Sequence, residues 1–453
     1  MRKEWLLNAG WEFTDLAGNV TALDLPHTWN ALDGQDGGND YARGTCTYEK
    51  TFPMPQLDPA TQCVYLEFQG VNASAQVQLN GQPVTTHDGG YSTFRADITA
   101  FLQAENRLSV QVDNSVNDRV YPQKADFTFY GGIYRDVKLI VLNRQHFDMD
   151  YFGSGGLAVG ATVEGSDGLV RVRSWHNAEN ARVAVTLLDA DGNEVARGEG
   201  TDVTLRLENA HLWDGINDPY LYTCQAALLV ADVAVDTVST HFGVRSFYVD
   251  PQKGFFLNGR SYPLHGVSRH QDRKGIGNAL QKCHHEEDME LIREIGANAC
   301  IIKELGANTI RLAHYQHDSY FYDLCDRYGM VVWAEIPYIS EHMPNGRENT
   351  LSQMTELVVQ NYNHASICFW GLSNEITIST KKTKDMLDNH RQLNELVHHL
   401  DPSRPTAVAC YAVCGPFNKV AHLSDLVSWN LYLGWYVPGL FLNDLWVDFF
   451  HKV

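Results

Sequence analysis

Residues 366–375 read SICFWGLSNE. Seven consecutive residues from Ile367 to Ser373 carry no charge and show no alternation of polar and apolar side chains, and the run then closes on an amide and a carboxylate. An unbroken apolar run of this length is what a strand covered on both faces requires. Similar runs flank it at 260–268 (RSYPLHGVS), 308–315 (NTIRLAHY), 330–337 (MVVWAEIP), 404–412 (RPTAVACYA) and 426–435 (LVSWNLYLGW). Amphipathic stretches lie between them: YFYDLCDRYG at 320–329, LSQMTELVVQNYN at 351–363 and DMLDNHRQLNELVHHLD at 385–401. Buried strands joined by helices predict parallel βαβ units. The region 244–453 therefore reads as a TIM-barrel domain with about six of its eight βα units, the chain stopping at Val453 after the helical stretch NDLWVDFFHK.

Working back toward the N-terminus, the texture changes. Residues 1–145 hold short alternating runs, CVYLEFQG, AQVQLNGQPV, RLSVQVDN and RDVKLIVLN, with a hairpin signal at Asn80-Gly81. They predict a jelly-roll, galactose-binding-like β-sandwich. Residues 146–243 repeat the pattern in LVRVRSWHN, ARVAVTLLDADGNEVARG, VTLRLEN and YLYTCQAALLV, with turns expected at Asp167-Gly168 and Asp191-Gly192. About seven strands in this length predict an immunoglobulin-like β-sandwich. One internal repeat stands out: IREIGAN at 292–298 recurs as IKELGAN at 302–308. It reads either as a duplicated helix end or as two helices sharing a glycine stop signal.

Composition narrows the function classes. The 453 residues carry 35 Lys+Arg against 55 Asp+Glu, a formal charge of −20. No basic run is present to release counterions, so neither nucleic acid nor an anionic membrane is an expected partner. No apolar stretch approaches the length of a membrane span, and the N-terminus lacks the apolar core of a secretion signal. Nine scattered cysteines without a CxxC pair read as reduced thiols, consistent with a cytoplasmic protein. No metal site and no certain cofactor is expected: Glu341-His342 offers two cation ligands without a third, and Cys283-His284-His285 reads as a loop or helix cap.

In a parallel barrel the reactive side chains sit at the C-terminal ends of the strands. Those ends offer His270, Arg311, His314, Glu335, Asn374, Glu375, Asn430 and Tyr432, a polar cup with aromatic walls that suits a sugar ring. Glu375 closes an apolar strand, so partial desolvation is expected to raise its pKa toward that of a general acid. The alternative is a carboxylate that caps the following helix or pairs with an arginine. Asn374 reads as a donor to a sugar hydroxyl or as a turn former, His270 and His314 as sugar ligands or satisfied core histidines, and Glu335 as part of an internal hydrogen-bond network.

Two β-domains ahead of a barrel, with the motifs YGGIYRDV, FGVRSF, FFLNGR, HGVSRHQD, NTIRLAHYQHD, LCDRYGMVVWAEIP and FWGLSNE in this order, resemble glycoside hydrolase family two. The resemblance implies a retaining glycosidase with Glu375 as acid/base beside Asn374. It implies sugar contacts from His270 and His314, places Tyr432 beside the nucleophile, and gives Asp126 to the sugar hydroxyls from a loop of the first domain. The family's nucleophilic Glu belongs to a seventh strand in a Ser-Glu-Tyr-Gly type motif, and no such motif occurs here. The 453 residues alone are therefore expected not to turn over a glycoside. The run EIPYISEHMPNGRENT followed by NLYLGWY resembles the shorter β-galactosidases, so terminal β-D-galactosides are the expected substrates. A β-glucuronidase, whose carboxylate-recognising residues lie beyond the nucleophile, and an inactive carbohydrate-binding fragment are the alternatives. A homo-oligomer is compatible with the sequence.

Overall fold

The computed structural model describes residues 2–33, 41–297, 307–433, 439 and 442–452. The described parts of 1–143 form two antiparallel sheets of four and six strands with a small two-stranded ribbon beside them. Strands Ser74–Leu79 and Gln82–Asp88 are joined by Asn80 and Gly81 at φ of 55° and 78°. Two successive left-handed residues make the hairpin turn whose twist matches that of the flanking strands.

The second unit packs sheets of three and four strands, seven in all, over Val170, Val172, Val185, Leu187, Cys224 and Leu228. Asp191-Gly192 forms the turn between strands Ala181–Leu188 and Glu194–Glu199, with the Gly192 N–H donating to the Asp189 carbonyl. Asp167-Gly168 does not form a turn. The turn falls two residues earlier, at Gly165-Ser166, and both residues of the Asp-Gly pair lie inside strand Asp167–Ser174. The Asp167 carboxylate is committed across the sheet, accepting from Arg206 Nε at 2.7 Å and the Asn209 N–H at 2.9 Å. Gly168 serves packing, since a Cβ there would lie 3.0 Å from Val244 Cγ1.

Between the second unit and the barrel lies a three-stranded antiparallel sheet, Phe247–Asp250, Gly254–Leu257 and Arg260–Ser261, which the sequence reading did not anticipate. Phe255 and Leu257 bury themselves against Val331, Ala365, Cys368 and Phe369, at and near the starts of two barrel strands.

Six parallel strands follow in chain order: Gly266–Arg269, Thr309–Leu312, Val331–Glu335, Ile367–Asn374, Thr406–Tyr411 and Leu426–Asn430. All eight residues of the fourth are buried. Helices Lys282–Ala297, Ser319–Tyr328, Arg347–Asn361 and Thr383–Leu400 connect them, and Asn443–Lys452 follows the sixth. Helix Ser319–Tyr328 shows why its ends fall where they do: the Asp318 carboxylate accepts from the Tyr320 N–H, and Gly329 takes φ 73° at the exit. The second copy of the heptapeptide repeat lies largely outside the described residues, as does Trp435. No helix among the described residues is long and apolar enough to cross a membrane.

Helix Arg347–Asn361 fixes the first sandwich to the barrel. Asn349, Gln353, Glu356 and Gln360 share one face by their spacing. Asn349 accepts from the Tyr121 N–H at 2.9 Å and donates to the Asp88 carbonyl at 2.9 Å. Glu356 accepts from Ser92 Oγ at 2.5 Å and meets His87 at 2.8 Å, while Gln360 holds the backbone of Thr93. The Met343 N–H donates to the Tyr121 hydroxyl at 2.5 Å. Tyr121 belongs to the long connection between strands Glu105–Asp113 and Gly132–Ile133, so these bonds carry that loop to the mouth of the barrel.

Candidate active site

The parallel register aligns the strand ends, with Glu335 opposite Gly371, Asn374 opposite Ala409 and Tyr411 opposite Asn430. A Cβ at Gly371 would collide with Glu335 Cβ and Trp333 Nε1, so only glycine lets the third and fourth strands approach this closely. Above these ends opens a cavity of about 710 Å³. Asp126, His270, His314, Asn374, Glu375 and Tyr432 all line it. The six side chains singled out from the sequence are thus brought together, from one sandwich loop and the ends of four strands. Lys124, Ser340, Tyr411 and Trp446 line the same cavity and were not singled out. Phe127, also missed, sits against His270 and His314 with ring centroids 5.0 and 6.2 Å away.

A chain of hydrogen bonds runs across the floor. Arg311 grips the fully buried Glu335 carboxylate with Nε at 3.0 Å and Nη2 at 3.1 Å, and His314 Nδ1 meets Glu335 Oε1 at 2.5 Å. Burial alone would raise the Glu335 carboxyl, but the Arg311 guanidinium and His314 outweigh it and hold the group below its usual range. Glu335 is therefore occupied in fixing Arg311. Arg311 Nη2 donates to Asn374 Oδ1 at 2.8 Å, and Asn430 Nδ2 donates to the same oxygen at 3.0 Å and to Glu375 Oε1 at 2.8 Å.

This network sets orientation. Asn374 Oδ1 accepts two donors, so the amide is turned with its two N–H groups away from Arg311 and Asn430. Glu375 is half-buried and sits at φ 48°, in the left-handed region that a non-glycine residue occupies at a cost. The Tyr432 hydroxyl bonds Glu375, and burial first, then the adjacent carboxylate, raise its pKa. Among the described residues the Glu375 carboxylate therefore meets Asn430 and Tyr432, and no helix cap or arginine pair. Burial and the neighbouring His314 push His270 down to about 4, which keeps it neutral near pH 7.

Other candidate clusters resolve differently. Glu341 pairs with Lys124 at 2.7 Å, whereas His342 is buried between the Tyr338 hydroxyl at 2.6 Å and Asp385 at 2.8 Å, so the two do not share a ligand position. Cys283, His284 and His285 begin helix Lys282–Ala297, where His284 Nδ1 accepts from the Gln281 N–H. Asp323, Asp326 and His364 form the one group of metal-type ligands among the described residues. None of them lines the cavity, and Asp326 is already bonded to His364 and to the Ser366 N–H at 2.7 Å each.

Three stretches of the chain match family descriptions: "Glycosyl hydrolases family 2, sugar binding domain" over residues 26–143, "Glycosyl hydrolases family 2" over 161–245, and "Glycosyl hydrolases family 2, TIM barrel domain" over 249–452. The chain is 36% identical to a β-glucuronidase of Bacteroides fragilis, with 96% of this chain and 64% of that protein aligned. It is 26% identical to a β-galactosidase of Thermoanaerobacter pseudethanolicus, over 94% of this chain and 57% of that one. Among solved structures, an FMN-binding β-glucuronidase from F. prausnitzii L2-6 superposes with a TM-score of 0.95 at 39% identity, covering 100% of this chain and 70% of that one. The chain spans between half and about 72% of the length of the curated relatives it matches, and 64% and 50% of the two above 30% identity.

Proposed function

Because the chain belongs to glycosyl hydrolase family 2, we propose that Glu375 is the general acid/base of a retaining β-glycosidase whose substrates are β-glucuronides. The observation that carries the catalytic reading is the placement of the Glu375 carboxylate. One oxygen accepts from Asn430, the Tyr432 hydroxyl stands beside it, and Asn374, His270, His314 and Asp126 surround the same cavity.

In this reading Glu375 gives its proton to the glycosidic oxygen as the bond to the anomeric carbon lengthens. It later takes a proton from the water that releases the sugar. Asn374, turned by Arg311 and Asn430, presents its N–H groups to a sugar hydroxyl. Neutral His270, and His314 fixed by Glu335, supply further polar contacts, and Phe127 supports both rings. The retaining mechanism needs a second carboxylate about 5 to 5.5 Å from the first. Besides Glu375, Asp126 is the other carboxylate lining the cavity among the described residues, and it belongs to the sugar hydroxyls in this reading. The nucleophile is taken to come from outside the described residues.

For the sugar, the relatives weigh toward the glucuronide rather than the galactoside that the strand-end runs suggested. The two curated relatives above 30% identity carry the names "Beta-glucuronidase" and "Putative beta-glucuronidase", and the β-galactosidase of T. pseudethanolicus stands ten percentage points below the β-glucuronidase of B. fragilis. A solved structure named "putative beta-galactosidase", also from B. fragilis, stands at 32%. Calorimetric titration of a form of the enzyme that holds the nucleophile and the residues beyond it, with flat lactones that imitate the oxocarbenium-like transition state, tests both parts. The lactone that carries a second carboxyl group is expected to bind more tightly than galactonolactone. The reverse order overturns the sugar assignment, and equal affinity of wild type and Glu375→Gln for the better lactone overturns the placement of Glu375.

A further inference from the structure

The motif FGVRSF at 242–247 takes no part in the sugar cavity. Five of its six residues, all but Val244, line a separate cavity of about 220 Å³ at the seam between the second sandwich and the barrel. A Cβ on Gly243 would lie 2.7 Å from Ala365 Cβ, so glycine lets this segment lie against the barrel just ahead of strand Ile367–Asn374. The two cavities share no lining residue.

Arg245 is only 8% exposed, and no carboxylate among the described residues pairs with it. Its Nη2 donates to the Ile367 carbonyl at 2.7 Å, and its Nε is enclosed without an acceptor. Nη1 has no protein acceptor either but is not enclosed, so it is the donor left accessible. Arg404, 6% exposed, donates through Nε to the same carbonyl at 2.8 Å and through Nη1 to Asp401 at 2.7 Å. Two buried guanidinium groups therefore share one carbonyl and one carboxylate, and positive charge exceeds negative by one among the groups in contact. Buried charges are ordinarily paired. The imbalance is the more telling in a chain with a net charge of −20. The described residues that line this cavity include two arginines and no carboxylate.

The neutral groups around Arg245 can donate as well. Tyr362 and Ser246 line the cavity, and their hydroxyls are not engaged by any described residue. Strand Leu157–Glu164 is at the edge of its sheet, and its Val159 N–H donates outward to Asn363 Oδ1 at 2.8 Å. The N–H of Ala161, two residues on, points to the same open edge.

We propose that this cavity binds a tetrahedral oxyanion, phosphate or sulfate, with Arg245 as its charged ligand and Tyr362, Ser246 and the Ala161 N–H as neutral donors. The ion supplies the counter-charge that Arg245 lacks, in charge-assisted hydrogen bonds of the kind arginine makes with such anions. It also fastens the second sandwich to the first residue of the fourth barrel strand, at the end away from Asn374 and Glu375. It touches no part of the sugar cavity, so it acts on stability rather than on the sugar.

Titration calorimetry of the full chain with phosphate, sulfate and chloride at constant ionic strength tests this. Saturable binding is expected for an oxyanion, weaker binding for chloride, and the tighter of the two oxyanions identifies the ion. The melting temperature should rise with the same saturation, unlike the steady rise that excluded salts give. Arg245→Gln should raise the Kd about 10- to 100-fold, the loss of a hydrogen bond to a charged group. Circular dichroism establishes that the variant is folded, and the double variant Tyr362→Phe/Ser246→Ala, which keeps the charge, carries the test where it is not. No saturable heat with either oxyanion in wild type overturns the proposal. Wild-type affinity in folded Arg245→Gln does so as well, or in the double variant where Arg245→Gln does not fold. The measurement involves neither Glu375 nor any sugar, so its failure leaves the glycosidase reading untouched.

Discussion

Replacing Arg311 by methionine removes one side of a buried ion pair and leaves the other. Glu335 has no exposed side-chain surface and Arg311 keeps only 18%. Breaking such a pair costs about 3–5 kcal/mol, because the remaining charge is stranded in a poorly solvating site. Two features place Arg311→Met at the lower end, near 3 kcal/mol: Arg311 is not fully enclosed, and His314 still meets Glu335 at 2.5 Å. For a domain of roughly 200 residues this corresponds to a fall in melting temperature of about 6–12 °C.

The pH dependence follows from the direction of the Glu335 shift. In the wild type the carboxyl lies below its unfolded value, so its contribution is present above that value and is lost as pH falls through the folded one. Without Arg311, burial prevails and the folded pKa rises above the unfolded value. The contribution is then present at low pH and lost as pH rises, so the deficit of Arg311→Met is larger at pH 7 than at pH 5. Adding Glu335→Gln removes the stranded charge and should recover about 2 kcal/mol, a coupling expected for groups in contact. Thermal unfolding followed by circular dichroism at the two pH values measures all of this. A deficit below 1 kcal/mol at pH 7, or one that grows toward pH 5, refutes the reasoning.

Asp126→Ala deletes an exposed loop carboxylate, so the melting temperature should stay within about 2 °C, as for a surface change of ±0.5 kcal/mol. Loss of a hydrogen bond from a charged group should raise the Kd for a bound sugar lactone by about 10- to 100-fold, and a large melting shift with unchanged affinity would show the residue to be structural. In a form of the enzyme that turns over, Glu375→Gln should lower kcat/KM about 10²- to 10⁴-fold on an alkyl glycoside and far less on a nitrophenyl glycoside, whose leaving group needs little protonation. Equal losses on both substrates count against the acid/base role. Gly371→Ala drives a Cβ into Glu335 and Trp333 and should cost about 1–3 kcal/mol, read as a lower melting temperature, with an unchanged melting curve showing that the third strand can yield.

The barrel was legible because strands covered on both faces leave short apolar runs, and their repeated alternation with longer amphipathic stretches separates them from buried helices. All eight residues of Ile367–Asn374 are buried, and the sequence shows them as an apolar run closing on polar residues where the strand reaches the cavity. Asn374 and Glu375 stand out for the same reason. Local signals failed where tertiary demands overrode them. Asp167-Gly168 has the composition of a turn, yet Asp167 is needed by Arg206 on the neighbouring strand and by Asn209 just beyond it, and a Cβ on Gly168 would press on Val244. The sheet Phe247–Ser261 escaped notice because its strands run to four residues at most.

The hydrogen-bond network was hidden for a different reason. Arg311, Asn374 and Asn430 come from the second, fourth and sixth strands, and only the curvature of the sheet brings their polar atoms within 3.4 Å of one another. The sugar preference suggested by EIPYISEHMPNGRENT also becomes intelligible. Of those sixteen residues only Ile339 and Ser340 line the cavity. Glu335 holds Arg311 and His314, Glu341 holds Lys124, Met343 meets Tyr121, Arg347 meets Asp385, and Asn349 docks the sandwich loop. Most of that run therefore reports how the sandwich loop is fastened to the barrel, whereas Asn430, Leu431, Tyr432 and Leu433 of the companion run NLYLGWY do line the cavity. A substrate preference has to be read from residues that line the cavity, and among the described residues those come from the Asp126 loop, from Ile339 and Ser340, from the ends of the first, second, fourth, fifth and sixth strands and the turn after Glu375, and from Trp446.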